Sequence, residues 1–250
     1  MSTFRTIASG LFCVLAFCGA CSGKKPVKAL AADKGFAVVE LFTSEGCSSC
    51  PAAEAVLAKI HSEYPDGVYV MEFHVDYWNY IGWTDVYSSP EYTARQKHYA
   101  GLFHLGSTYT PQAIVNGKKE LVGSDDAAMH RYVNEAIKKR SAVSLKLATM
   151  TKGHNVSVEY TVSNTANQIL NIALVQKNAE SNVKRGENSG KKLKHINVVR
   201  ELQTVDAAAG HGSATFILPP DLNAADFIVI AYTQDKKTWE VTCVAESGVN

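Results

Sequence analysis

The chain has 250 residues, 46% of them apolar and 20% charged, with a formal net charge of +1. That is a globular balance with core material for one large domain or two of ordinary size. Near-neutrality excludes an overall field that would draw in nucleic acid or anionic lipid.

Met1 to Thr6 carries Arg5 and no acid, Ile7 to Phe17 is almost wholly apolar, and Gly19-Ala20 precedes Cys21. The apolar run is too short for an ordinary membrane span and reads as an export signal. Small residues ahead of a cysteine resemble the bacterial lipoprotein cleavage box, although Cys18 stands where leucine is usual. In that reading Cys21 is lipidated and becomes the mature N-terminus. The alternative is simple secretion with cleavage near Ala20 or Ala31. Residues 1–20 are thus expected to be a lipoprotein-type signal and 21–35 a tether. The protein would sit on the periplasmic side of a membrane in the cell envelope, anchored through Cys21. Arg5 is the only charge in the leader, so the remainder carries 24 basic and 24 acidic residues.

Cys13 and Cys18 leave with the leader, so the folded part keeps Cys47, Cys50 and Cys243. An exported chain stabilised by disulfides usually holds an even, scattered set. One close pair suggests redox use.

Phe36 to Phe42 reads as an apolar, β-branched strand. Thr43 to Gly46 is a polar turn, and Cys47-Ser48-Ser49-Cys50 follows. Pro51 to Glu63 is a helix, with Pro51 in the first turn, where a missing N–H costs nothing. Val68 to Val75 is a second strand. The aromatic stretch from Asp76 to Gly106 contains a helix over Glu91 to Leu102. Tyr109 to Val115 is a turn entering a strand, Asn116-Gly117 is a strong hairpin signal, and Lys118 to Val122 is the return strand. A helix runs from Asp125 to about Lys139, acids first and bases last. After residue 142 strong helices are absent. Seven short strands are expected, at Ser144–Ala148, Asn155–Val162, Leu170–Gln176, Val198–Gln203, Ser213–Leu218, Phe227–Thr233 and Thr238–Val244, and they suggest a small β-sandwich.

A CxxC at a helix N-terminus has a physical purpose. Unpaired N–H groups and the helix dipole favour a thiolate on the first cysteine, and the second, one turn on, resolves a mixed disulfide. Cys47 is the expected nucleophile and Cys50 the resolving thiol. Zinc sites share this spacing but need a second ligand pair. No second CxxC and no close Cys-His cluster is present, so neither a metal nor a cofactor is expected.

The element order and motifs resemble the thioredoxin superfamily. That resemblance implies a cis proline at Pro111 facing the cysteines, with Thr110 pairing to substrate. It also implies a buried acid, Glu40, accepting a proton from the resolving thiol; the alternative is a solvent-facing strand glutamate. Gly46 in place of an aromatic residue, the Ser48-Ser49 dipeptide and the aromatic insertion all depart from thioredoxin. Over residues 36–250 the chain is more similar to a family of uncharacterised bacterial secreted proteins that join a thioredoxin-like domain to a C-terminal β domain. The matching stretches are Val39 to Pro51, His74-Val75-Asp76-Tyr77-Trp78, Ser89 to Gln96, Tyr109 to Gln112, and Arg185 to Gly190 running on to His195–Arg200. This resemblance implies an α/β thioredoxin-like domain over 36–140, a mixed sheet with flanking helices, followed by an all-β sandwich over 142–250.

Tyr77 and Trp78 directly follow a strand and are the aromatic residues best placed to line the site. The basic loop of Lys184, Arg185, Lys191, Lys192 and Lys194 reads by itself as a solvated turn; the resemblance implies instead that it packs against the first domain, with Glu187 and Arg200 as polar links. Cys243 reads as a buried free thiol. The expected function is a thiol–disulfide oxidoreductase acting on cysteines of exported proteins, recycled by an unknown redox partner. The alternatives are a non-catalytic binding module with a structural disulfide, or copper delivery with His74 joining the two cysteines.

Overall fold

A computed structural model describes Lys28, Ala29 and residues 35–249. The expected signal, the lipidation site Cys21 and most of the expected tether lie outside the described residues. Lys28–Ala29, within that tether, forms a two-residue strand, β1, paired antiparallel to the end of the last strand. Among the described residues no helix is long and apolar enough to cross a membrane.

The first half follows the expected order. Strand β2 (Ala37–Thr43) is wholly buried, as its apolar run requires. Helix α1 (Cys50–Glu63) buries Ala53, Leu57 and Ile60, spaced one turn apart. Strand β3 (Val68–His74) runs parallel to β2. Helix α2 (Pro90–Leu102) starts with Ser89 capping the Glu91 amide and Pro90 in the first turn. Strands β4 (Gln112–Val115) and β5 (Lys119–Val122) form the hairpin. Asn116 and Gly117 both take positive φ, 49° and 67°, as the tightest hairpin turn demands. Helix α3 (Asp126–Ala136) is capped by Asp125, whose carboxylate accepts from the Ala128 amide.

The second half supplies all seven strands: β6 (Leu145–Lys152), β7 (Asn155–Val162), β8 (Gln168–Asn182), β9 (Lys192–Asp206), β10 (His211–Ile217), β11 (Phe227–Asp235) and β12 (Val241–Gly248). Both β8 and β9 are 15 residues long, about twice the expected lengths. Their outer ends contain polar residues that conceal the continuing strand.

The two halves share one sheet. Its order is β1-β12-β11-β8-β9-β3-β2-β4-β5, and β9 docks parallel on β3 at Val198 and Glu72. Asn197 has a positive φ of 48°, and its side-chain amide donates to the Val70 carbonyl at 3.1 Å. A side chain thus completes a junction that the backbone ladder alone leaves short. A second sheet, β10-β7-β6, covers β8, β11 and β12, and the space between is filled by residues such as Leu147, Val158, Ile172, Phe216, Phe227 and Val229. The expected sandwich therefore has one small sheet of its own and borrows its other layer from the sheet it shares with the first half.

β2 alternates between two cores. Ala37, Val39 and Leu41 face α1 and α3, whereas Phe36, Val38 and Phe42 join the aromatic core containing Tyr92 and Tyr99 of α2.

Candidate functional site

The cysteines sit where β2 hands over to α1. The Cys47 amide donates to the Ser44 carbonyl at 3.1 Å, and the Cys50 amide donates to the Cys47 carbonyl at 3.2 Å. Cys50 opens the helix with Pro51 behind it. Cys47 and Cys50 form a disulfide, their Cα atoms 5.4 Å apart. Cys47 Sγ and Ser49 Oγ share a hydrogen bond of 3.4 Å. With the helix N-terminus beside it, that hydroxyl can solvate a thiolate when the pair is reduced.

Ser48 and Ser49 are exposed, yet Cys47 is 1% exposed and Cys50 fully buried. The cover comes from the β8–β9 connection. Asn188 is fully buried, and its Nδ2 donates to the carbonyls of Glu45 and Cys47, each at 2.9 Å. The Glu187 carboxylate accepts from the Ser48 amide at 2.9 Å. This contact holds the carboxyl below the usual carboxylate range. Gly186, at φ 76°, lies against Ile81; a Cβ there would come within 2.8 Å of Ile81 Cδ1. Gly46 has the same kind of reason. A Cβ on it would lie 3.0 Å from Trp78 Cβ and 3.2 Å from Ile81 Cδ1, so the aromatic residue usual in thioredoxins has no room.

Thr110-Pro111 is cis. Trp78 donates its indole N–H to Thr110 Oγ1 at 2.8 Å. Pro111 lies beside Gly123, whose added Cβ would meet Leu41, Ala53 and Pro111 at 2.6, 3.1 and 3.4 Å. Trp78, Thr110 and Pro111 therefore gather beside Gly46 and the first turn of α1. Tyr77 is half-buried against the aromatic core. Arg200 bonds Gln176 and stacks its guanidinium over the Tyr87 ring, so it joins Glu187 in linking the two halves. Cys243 is a buried free thiol whose pKa burial pushes up.

Glu40 is buried, but it is not where a proton acceptor for Cys50 is needed. Its carboxylate takes the Arg95 Nε and Nη2 at 2.5 and 3.0 Å and the Tyr99 hydroxyl at 2.7 Å. Strand alternation sends it to the α2 side of the sheet, away from α1. The extra residue of spacing relative to thioredoxin flips the side chain across the pleat.

Sequence reasoning missed a second layer beneath the cysteines. Glu45, Glu54, Glu72, His74, Asp85 and His195 are each 6% exposed or less. His74 Nδ1 and Asp85 Oδ2 share a hydrogen bond of 2.7 Å. Asp85 also accepts from the amides of Glu45 and Tyr87. Burial opposes charge on His74, but Asp85 and Glu72 outweigh it and hold its pKa well above the usual value. Burial likewise opposes charge on His195, and Glu45 and Glu54 raise it to about 9. Burial and the neighbouring Glu54 push Glu72 up to about 7. Burial would raise Asp85, but His74 and the two amides hold it below the ordinary range. The available signal was Glu72-x-His74, two polar residues at strand spacing in an otherwise apolar strand.

Residues 38–234, which include the CxxC turn, the Thr-Pro segment and the covering loop, match the family described as protein of unknown function (DUF1223). The chain belongs to that DUF1223 family. A thioredoxin of Methanocaldococcus jannaschii is 32% identical over 102 residues, 41% of this chain and 93% of that protein. A solved protein of Agrobacterium tumefaciens superposes with a TM-score of 0.61 at 26% identity, covering 91% of this chain and 96% of that one. HBP35 of Porphyromonas gingivalis superposes with a TM-score of 0.60 at 17% identity, covering 87% of this chain and 76% of that one, and shows likeness of fold alone. This DUF1223 chain therefore combines a mixed α/β architecture around one large sheet with a thioredoxin-like stretch that carries a CxxC disulfide.

Proposed function

We propose that the protein is a thiol–disulfide oxidoreductase of the bacterial cell envelope, held at the periplasmic side of a membrane by lipid on Cys21. Its substrates would be cysteines of exported proteins. The carrying observation is the Cys47–Cys50 disulfide at the first turn of α1, with Ser49 Oγ within hydrogen-bond reach of Cys47 Sγ. Likeness to thioredoxin over 102 residues supports the same reading. A substrate thiolate attacks Cys47 Sγ, and the Cys47–Cys50 bond breaks. Cys50 leaves as a thiolate and takes up a proton. A second substrate thiol then displaces Cys47, so the substrate gains a disulfide while the pair gains two electrons and two protons. The reverse sequence reduces a substrate disulfide. Trp78, Thr110 and Pro111 form the surface on which the substrate chain would lie. Glu40 has no part in the proton transfer.

The near-complete burial of Cys47 favours a second reading, in which the disulfide is structural and the protein a binding module. One experiment separates the two. The Cys50→Ala variant, expressed in the envelope, traps substrates as mixed disulfides on Cys47 if the pair turns over. A thiol with unperturbed reactivity and no disulfide-linked species would leave the structural reading standing.

A further inference from the structure

The layer beneath the cysteines holds more polar atoms than its own hydrogen bonds satisfy. Glu72 Oε2 and His74 Nε2 are buried without a hydrogen-bond partner and stand 3.6 Å apart; His195 Nε2 and Glu45 Oε1 also lack a hydrogen bond but face each other at 3.4 Å. Glu72, His74 and His195 each offer a ligand atom, all within 4.8 Å of one another. Such groups are costly to bury unpaired and are ordinarily matched by a partner or a cation.

We propose that Glu72, His74 and His195 form a site for one Zn2+-like divalent cation, with Glu54, outside that three-residue cluster, as the residue that would swing in to complete a tetrahedron. Glu72 Oε2 lies 3.6 Å from His74 Nε2 and 3.6 Å from His195 Nδ1, and His195 Nδ1 lies 3.2 Å from Glu54 Oε2. Ligands at about 2.0–2.1 Å from a tetrahedral zinc stand roughly 3.3–3.4 Å apart, so the Glu72–His74 and Glu72–His195 edges need only small adjustments, and Glu54 must swing further in to join them.

Each ligand also has an outer partner that would fix its orientation. Asp85 holds the far nitrogen of His74 at 2.7 Å. Glu45 Oε1 faces His195 Nε2 at 3.4 Å. The Thr43 hydroxyl donates to Glu54 Oε1 at 2.6 Å, and the Ile196 amide to Glu72 Oε1 at 3.3 Å. Four carboxylates around two imidazoles give the pocket the sign a cation needs. The Tyr87 ring packs edge-on against both imidazoles and keeps that side dry. A groove between α1 and β9, lined by Pro51, Glu54, Ala58, Glu72, Lys192 and Ile196, runs up to the Glu54 and Glu72 side of the cluster, with Glu72 itself buried at its floor. Lys192 on its edge is paired with Glu180 at 2.6 Å. Because the ligands come from α1, β3 and β9, the ion would fasten the CxxC helix to both halves of the sheet.

The test uses the whole chain, oxidised at Cys47–Cys50 so that thiolates cannot compete, stripped with a chelator and titrated with Zn2+ by calorimetry and metal analysis. We expect about one Zn2+ per chain, and a Co2+-loaded protein with the visible absorption of a tetrahedral centre. Binding falls at least about tenfold in Glu72→Gln and in His195→Asn, and about 10–100-fold in Asp85→Asn. It persists in a Cys47→Ser/Cys50→Ser double variant, which separates this site from the redox reading. Stoichiometry far below one, or unchanged affinity in both Glu72→Gln and His195→Asn, overturns the proposal. Should those variants unfold, the wild-type melting temperature decides: it rises with Zn2+ and reverts with chelator. A melting temperature indifferent to Zn2+ rejects the site and leaves protons as its counter-charge.

Discussion

Asn188 ties the covering loop to the cysteine turn, and its removal can be given a magnitude. Its amide donates to two main-chain carbonyls, those of Glu45 and Cys47, each at 2.9 Å and out of contact with water. An intramolecular hydrogen bond contributes about 1 kcal/mol net. Asn188→Ala should therefore shift the loop between β8 and β9 toward its lifted form by about 2 kcal/mol, roughly a 30-fold gain in open population. If lifting is fast compared with thiol attack, reduction follows that population. Dithiothreitol should then reduce Cys47–Cys50 about 30-fold faster in Asn188→Ala. The assay is timed alkylation of the released thiols, with urea unfolding run alongside to check that global stability is not the cause. A rate within about twofold of wild type would refute the reasoning, since one lost bond alone is worth more. Sulfur would then be reached by a path that leaves the loop closed.

Arg95→Ala leaves the Glu40 carboxylate buried without its ion partner and should cost about 3–5 kcal/mol in chemical denaturation, while Arg95→Met with Glu40→Leu recovers most of the loss. Glu40→Gln should leave the pH profile of cysteine alkylation unmoved, because Glu40 points to the other side of the sheet; a shifted Cys50 titration would contradict that placement. Gly117→Ala places a Cβ 1.9 Å from the Trp239 carbonyl oxygen at a positive φ, and a loss of about 2–4 kcal/mol is expected from thermal unfolding. Reducing the disulfide opens a very small loop, so chain entropy predicts only about 2 kcal/mol of lost stability, readable as the difference between oxidised and reduced urea midpoints.

Local signals were enough for much of this molecule. The buried β2, the Pro51 helix start, the Asn116-Gly117 turn and the Cys47–Cys50 pair each follow from a few adjacent residues. Thr110-Pro111 needed likeness to relatives, because spacing alone does not select a peptide isomer. What stayed hidden depends on contacts far apart in the chain. Asn188 meets Cys47 across 141 residues, and His195 meets Glu54 across the same separation. No periodicity couples such positions. The side taken by Glu40 was open for a related reason: an unbroken apolar strand carries no alternation to fix which face is which.

The joining of β9 to β3 bears on how this protein could be dissected. In the whole chain β3 has a neighbour on each side, β2 and β9. A fragment ending near residue 140 would remove the one ladder pair and the cover that β9 gives β3, leaving that side of a seven-residue strand, all of it buried in the intact protein, open as an edge. Such an edge is a template for strand exchange and fibrous aggregation. The stretch that looks most like a self-sufficient thioredoxin is thus the piece least suited to being produced alone.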